Sequence, residues 1–240
     1  MATTSPELPA QESGNFASDL AGIPSFLIDA GRAAPYVHHK WFWVGPLIVF
    51  SIVSIIGGIL MMPIVAHVLE VAPMPDGVTP EQYQKGIAIS TIIQKVALFC
   101  APLTVALVFA IQAGLLLASS SVLAVQAKFR ELFNLVAGCG IIQAIAALAG
   151  VLILKLKGDI ATRAELRPAM GIDIFLPEGT NRFLAGFLGY FSVFELWWIV
   201  MMVLIFAAAF RVSKGKAFAV MAPLVALNII WRVAAAAFQR

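Results

Sequence analysis

The stretch that decides the fold is "HHKWFWVGPLIVF", His38–Phe50, in which histidines, a lysine and three aromatics precede a long apolar run. Trp41 and Trp43 are typical of the aromatic belt at a membrane surface. Pro46 suits the first position of a helix because no N–H is needed there, and Gly45 lets the chain turn into that helix. The stretch therefore predicts the point at which the chain enters a bilayer.

A metal pocket is the alternative interpretation of this stretch. A metal site needs three or four convergent ligands, yet no other His, Cys or carboxylate lies nearby in the sequence. The remaining histidine, His67, lies at the far end of the first apolar run. We therefore expect no metal and no other cofactor, and we expect His38, His39 and Lys40 to face lipid headgroups.

The composition excludes a soluble domain. Of the 240 residues, 61% are hydrophobic and only 12% are charged, and the mean hydropathy is +0.93, whereas soluble domains carry about 25% charged residues. The net charge of +3 comes from basic residues spread singly along the chain, which argues against nucleic acid as a partner. Residues 1–22 begin without the features of a signal peptide, and their polar composition predicts a disordered tail.

Five apolar segments are long enough to cross about 30 Å of hydrocarbon as helices. The predicted fold is therefore all-α, with residues 23–240 forming a transmembrane bundle of five helices. The spans are 46–66, 96–119, 132–154, 188–210 and 217–238. Basic residues divide almost equally between the two sides of the membrane. Short loops weigh most in the positive-inside rule, and the densest basic stretch is the short loop "RVSKGK", Arg211–Lys216. The rule therefore favours the cytoplasm for this loop and for the N-terminus, which is on the same side.

Three features between and within the spans predict local structure. "IPSFLIDAGRAA", Ile23–Ala34, carries an apolar stripe that predicts a short amphipathic helix lying in the membrane interface. "TPEQ", Thr79–Gln82, combines an N-cap, a proline and a capping-box partner, and so predicts the start of a helix that runs towards the second span. The small residues of Ala137–Gly150 predict close helix packing inside the bundle.

Glu195 and Arg232 are the charged residues that interrupt the fourth and fifth spans. Each lies 15 residues from the connecting loop's end of its span, Phe210 or Ala217, so an antiparallel hairpin brings both to one level, about 8 Å inside the opposite boundary. We expect an ion pair; separate snorkelling to the interface and a proton or substrate site are the alternatives. The amides are expected to hydrogen-bond between helices, with a polar pathway as the alternative: Gln112, Asn134, Gln143 and Asn228.

The chain resembles the Yip (Ypt-interacting-protein) family, and most of all its bacterial members. Three stretches carry the resemblance: "KWFWVGPLIV" (Lys40–Val49), "FELWW" (Phe194–Trp198) and "VSKGKAFAV" (Val212–Val220). The resemblance implies five spans, a cytosolic N-terminal tail and a multi-pass protein of the bacterial inner membrane. It departs from the family at "VAGCGII" in the third span, where members often carry Tyr followed by Pro, and at Glu195, where a neutral residue is expected.

Sequence motifs favour a function without catalysis. Nucleophile-elbow, HExxH and phosphate-loop motifs are absent, and neither long loop, 67–95 or 155–187, is long enough for a catalytic domain with its own core. We expect a non-enzymatic protein that organises the membrane or binds other membrane proteins or a second copy of itself. The alternative is a small transporter or channel that uses Glu195 and Arg232.

Overall fold

The computed structural model describes residues 16–71, 77–158, 160, 162, 164–166, 168–177 and 180–237. Within them the regular secondary structure is helical, apart from an isolated antiparallel bridge between Gly171 and Ser192. The helices are α1 (Phe16–Gly22), α2 (Ser25–Ile28), α3 (Ala30–Ala33), α4 (Val44–Val71), α5 (Pro80–Phe99), α6 (Ala101–Val122), α7 (Phe129–Lys157), α8 (Arg182–Leu188), α9 (Val193–Ala209) and α10 (Lys214–Ala237). Short 3-10 turns cover Ala34–His38, Ala164–Leu166 and Ile172–Phe175.

Four helices of the described chain, α4, α6, α7 and α10, are long and apolar enough to cross a membrane. The predicted first and third spans lie inside α4 and α7. The predicted fifth span lies inside α10, except for Phe238, which is outside the described residues. An all-helical chain with several candidate membrane spans is thus confirmed, whereas the count of five is not.

The predicted fourth span, 188–210, is divided rather than continuous. Helix α8 ends at Leu188, and α9 begins at Val193 and has 17 residues, or about 26 Å of helix. Ser192 starts α9 as its N-cap, because its Oγ accepts the N–H of Glu195 at 3.1 Å. The chain therefore reaches Glu195 through a non-helical link.

The predicted second span, 96–119, also contains a break, at Cys100 between α5 and α6. Pro102 has no N–H to donate to the carbonyl of residue 98, which weakens the helix at this point and favours the break. The start of α5 agrees with its prediction. Thr79 and Gln82 form the capping box, with the Thr79 Oγ1 accepting from the Gln82 N–H at 3.3 Å and the Gln82 Oε1 accepting from the Thr79 N–H at 3.1 Å.

The N-terminal segment, Ile23–His38, is not one continuous helix. It consists of α2, α3 and a 3-10 turn, separated by extended backbone at Asp29. Its apolar stripe turns towards the bundle, where Phe26 and Ala34 are buried. Within the tail predicted for residues 1–22, residues 16–22 form α1, and residues 1–15 lie outside the described residues.

Helix α7 is the centre of the bundle. In its most apolar stretch 56% of the residues are buried, against 6% in α4, and it packs against α4, α6 and α9. Gly138 and Gly140 admit the rings of Phe26 and Phe109, which occupy the space a Cβ would need. The small residues of Ala137–Gly150 therefore serve close packing, as predicted.

Candidate functional site

Glu195 lies in the first turn of α9 rather than inside a continuous span. The helix N-terminus is a favourable place for a carboxylate, because the unpaired N–H groups and the helix dipole present positive charge there. "SVFE", Ser192–Glu195, has the S-x-x-E pattern of a helix start before an apolar run. This signal was present in the sequence, but it lies inside a longer apolar segment that suggested a continuous span.

Three helices meet at the Glu195 carboxylate. Arg232 of α10 places its Nη2 3.6 Å from Glu195 Oε1, and Gln143 of α7 donates from Nε2 to Glu195 Oε2 at 3.0 Å. Arg232 also donates from Nη1 to the carbonyl of Gly189 at 2.8 Å. The structure thus brings Glu195 and Arg232 together and adds Gln143, which was predicted only as one of several packing amides.

The link between α8 and α9 is held by close backbone contacts. A Cβ on Gly171 would lie 2.7 Å from the carbonyl oxygen of Gly189, and a Cβ on Gly189 would lie 2.8 Å from Asp173 Oδ2. Gly186 packs onto α10, where its Cβ would lie 3.0 Å from the Cβ of Ala236. Because these positions are glycine, residues 171–173 and α8 can pack closely beside the charged cluster.

The charged cluster lies beside the middle of α7. Gln143 is the midpoint of the predicted span 132–154 and lies 14 residues, or about 21 Å, from the start of α7 at Phe129. Glu195 lies 14 residues from the end of α9 at Ala209, which is the same distance along its helix. Gln143 and Glu195 are therefore at one level, measured from the end of the bundle that holds the α9–α10 connection.

At the N-terminal end of α7, the membrane-entry motif is only partly exposed. Trp41 is 55% exposed, whereas Trp43 packs edge-on against Phe133 with ring centroids 5.6 Å apart. Gly45 and Pro46 are buried at the start of α4. The motif therefore joins the N-terminal segment to the bundle as well as starting the first span.

The two histidines do not simply face outwards, because the fold brings carboxylates to both. His38 Nδ1 lies 3.2 Å from Glu131 Oε1, and its Nε2 lies 3.2 Å from the carbonyl oxygen of Ala209. His39 Nδ1 lies 2.6 Å from Oδ1 of Asp19, which is buried. The prediction that the histidines face lipid headgroups did not include these carboxylates, since Glu131 is 93 residues away from His38 in the sequence.

The hydrogen bond to Glu131 raises the pKa of His38 above its usual value. The Ala209 carbonyl adds to this effect, while partial burial and the charge of Lys128 oppose it. Both neighbours of the ring are acceptors, so both ring nitrogens must carry a proton to satisfy both contacts. The geometry thus favours the charged form of His38.

Asn134 of α7 fixes the backbone around His38. Its Oδ1 accepts the N–H of Trp43 at 3.0 Å, and its Nδ2 donates to the carbonyls of Val37 at 2.9 Å and His39 at 2.7 Å. The side chain is fully buried, and three hydrogen bonds satisfy three of its four groups. Asn134 therefore anchors the entry segment to α7, a more specific role than the interhelical packing predicted for it.

Comparisons with known proteins do not identify a relative of this chain. No family model, no curated protein and no solved structure matches the chain. Among the described residues no group of three or more His, Cys, Asp or Glu side chains is placed to hold a metal ion. The chemistry that the described clusters offer is charge pairing and proton binding.

Proposed function

We propose that this chain is a multi-pass integral membrane protein of Yip-like layout that binds other membrane proteins through its outer helices and performs no catalysis. The observation that carries the proposal is the difference in burial between α7 and its neighbours. The most apolar stretch of α4 is 6% buried and that of α6 is 17% buried. These helices have apolar surface available for lipid or for a partner.

The proposed topology has five crossings and a cytoplasmic N-terminus. Helix α9, with about 26 Å of apolar helix, is proposed as the fourth crossing, joined to α8 by the Gly189–Ser192 link. The α9–α10 connection and the start of α7 lie at the same end as the N-terminal segment, and they carry basic residues: Lys128, Arg130, Arg211, Lys214 and Lys216. This distribution favours the cytoplasm for that end, and the layout is that of the Yip family in the bacterial inner membrane.

Photo-crosslinking in native membranes tests the binding role. A photoreactive residue is placed on α4 at Ile52, Ile56 or Ile59, which are about half exposed, and a matched control is placed at the buried Ile142 of α7. We expect a discrete protein adduct of the same mass from the α4 positions and none from the control. Adducts with lipid alone at all three α4 positions would contradict the proposal.

A second candidate function, proton or ion transport, is favoured by one specific observation. Glu195 and Arg232 meet Gln143 at the midpoint of a predicted span, beside a broken helix. Non-helical backbone at membrane depth is tolerated where protein buries it or where it lines a cavity. Ionisable residues at such depth commonly mark ion or proton pathways.

Flux measurements separate this candidate from the first. Purified protein is reconstituted into liposomes that contain a pH-sensitive dye, and a proton gradient is imposed. Transport predicts a protein-dependent flux that Glu195→Gln abolishes and that the control Asp29→Asn, at an exposed carboxylate, leaves unchanged. Flux equal to that of empty liposomes, or flux unaffected by Glu195→Gln, would exclude transport of protons by this site.

A further inference from the structure

His38 bridges two helices that are otherwise joined through apolar contacts at this end of the bundle. Its ring lies between Glu131, in the first turn of α7, and the carbonyl of Ala209, the last residue of α9. The last carbonyls of a helix have no partner within that helix and carry its negative dipole. An imidazolium at this position satisfies one of them.

The backbone that carries His38 is fixed, so the ring acts from a stationary support. Asn134 of α7 holds the carbonyls on both sides of it, those of Val37 and His39. The His38 side chain therefore contacts Ala209 of α9 from a backbone segment that is held on α7. Breaking this contact would remove this polar link to the end of α9 without detaching the N-terminal segment.

We propose that His38 is a proton-operated clip that fastens the C-terminal end of α9 to α7 and releases it when the ring loses its second proton. A neutral imidazole has one donor and one acceptor, so it cannot donate to both Glu131 and Ala209. In one of the two contacts the lone pair of the unprotonated ring nitrogen then faces the lone pairs of an oxygen, and this contact is repulsive. Because the ring is anchored beside Glu131, the contact to Ala209 is the one that opens.

The direction of the pH dependence follows from the groups around the ring. Glu131 and the Ala209 carbonyl favour the proton, Lys128 opposes it, and the edge of the Phe210 ring, with centroids 5.8 Å apart, is uncharged. The neighbouring His39 pairs with Asp19 and does not reach α9. Since the pKa of His38 is raised, the clip is fully closed below the ordinary histidine value of about 6.5 and opens as the pH rises through the raised value.

Opening of the clip would affect the position of α9, the helix that carries Glu195. Glu195 and Ala209 are 14 residues apart on α9, or about 21 Å, and a helix of this length moves as a rod. Release of one end lets α9 tilt about its contacts with Gln143 and Arg232 at the other end. The 41% exposed side chain of His38 gives solvent protons direct access to the clip.

Distance measurement by double electron–electron resonance tests the clip at pH values that do not affect the labels. Spin labels are placed at Gln126, before α7, and at Ser213, after α9, both exposed, in a protein whose Cys100 and Cys139 are replaced by alanine. In nanodiscs we expect the main distance peak seen at about pH 5.5 to be lost and replaced by a broader, longer distribution at about pH 9.

Three variants separate the clip from a general effect of pH. His38→Gln keeps a donor without a titrating group and should show no pH step, whereas Glu131→Gln removes the charge that favours the proton and should move the step to lower pH. His67→Gln, at an exposed position on α4, should behave as the unaltered protein does. An unchanged distance distribution from about pH 5.5 to about pH 9, or the same step in His38→Gln, would overturn the proposal.

Discussion

Removing the charge of Glu195 should lower the free energy of unfolding of the bundle, and the exposure of its ion pair sets the limits of this effect. Breaking a buried ion pair by removing one partner costs about 3–5 kcal/mol, whereas exposed pairs couple by about 0–1 kcal/mol. Glu195 is 13% exposed and Arg232 is 33% exposed, so the pair lies between these limits. We expect a coupling energy of about 2 kcal/mol between the two side chains.

A double-mutant cycle measures this coupling directly. Glu195→Gln keeps an acceptor for the Gln143 amide, and Arg232→Met keeps much of the side-chain length, so the cycle isolates the charge interaction. The free energy of unfolding is measured in detergent micelles or bicelles by reversible denaturation, with tryptophan fluorescence as the signal. The destabilisation of the double variant should be about 2 kcal/mol smaller than the sum of the two single values.

The Asp29–Arg32 pair provides a matched control. Its atoms are 3.3 Å apart, closer than the 3.6 Å of the Glu195–Arg232 pair, but its side chains are 45% and 85% exposed. If burial determines the strength, this outer pair should couple by less than about 0.5 kcal/mol. A coupling below about 0.5 kcal/mol for Glu195 and Arg232 as well would refute the reasoning.

Three further predictions concern packing and backbone geometry, each checked by the free energy of unfolding in micelles. Gly138→Ala sets a methyl group against the ring of Phe26 and should destabilise the protein by about 1–3 kcal/mol. Gly114→Ala, with open space around its Cα, should stabilise the protein by about 0.5–1 kcal/mol. Equal effects of the two substitutions would contradict the packing of the N-terminal segment. Asn134→Leu removes three hydrogen bonds from a buried site and should cost more than about 2 kcal/mol, and a near-neutral result would exclude its anchoring role. Ala124, after α6, has a φ of 49°, so Ala124→Gly should stabilise by about 1 kcal/mol, and destabilisation would show that the left-handed cap is not formed.

Composition and apolar run length were sufficient to predict an all-helical membrane protein, because both report directly on the surface that must avoid water. The start of α5 could also be predicted, since the Thr79–Gln82 capping box acts through local backbone chemistry, and the start of α4 at Val44 lies two residues before the predicted position, Pro46. The signal for the helix start at Ser192, the S-x-x-E pattern, was also local. It was missed because the apolar residues on both sides of these four residues suggested one continuous span.

The contacts of the histidines could not be read from one sequence. Glu131 reaches His38 only because α4 and α7 start at the same end of the bundle and Asn134 fixes the entry segment against α7. Nothing local to His38 indicates this partner. The approach of Glu195 and Arg232, by contrast, could be anticipated, since both lie at equal distances from a short loop. The contact with Gln143 could not, because it depends on the packing of α9 against α7.

The crossing of the membrane by α9 is the point on which the proposed topology of five crossings depends. Single cysteines at Phe175, before α8, and at Ser213, after α9, both exposed, are introduced into the protein lacking Cys100 and Cys139 and are labelled with a membrane-impermeant maleimide in sealed vesicles of known orientation. The account predicts that the two positions react from opposite faces of the membrane. Labelling of both from the same face would contradict it.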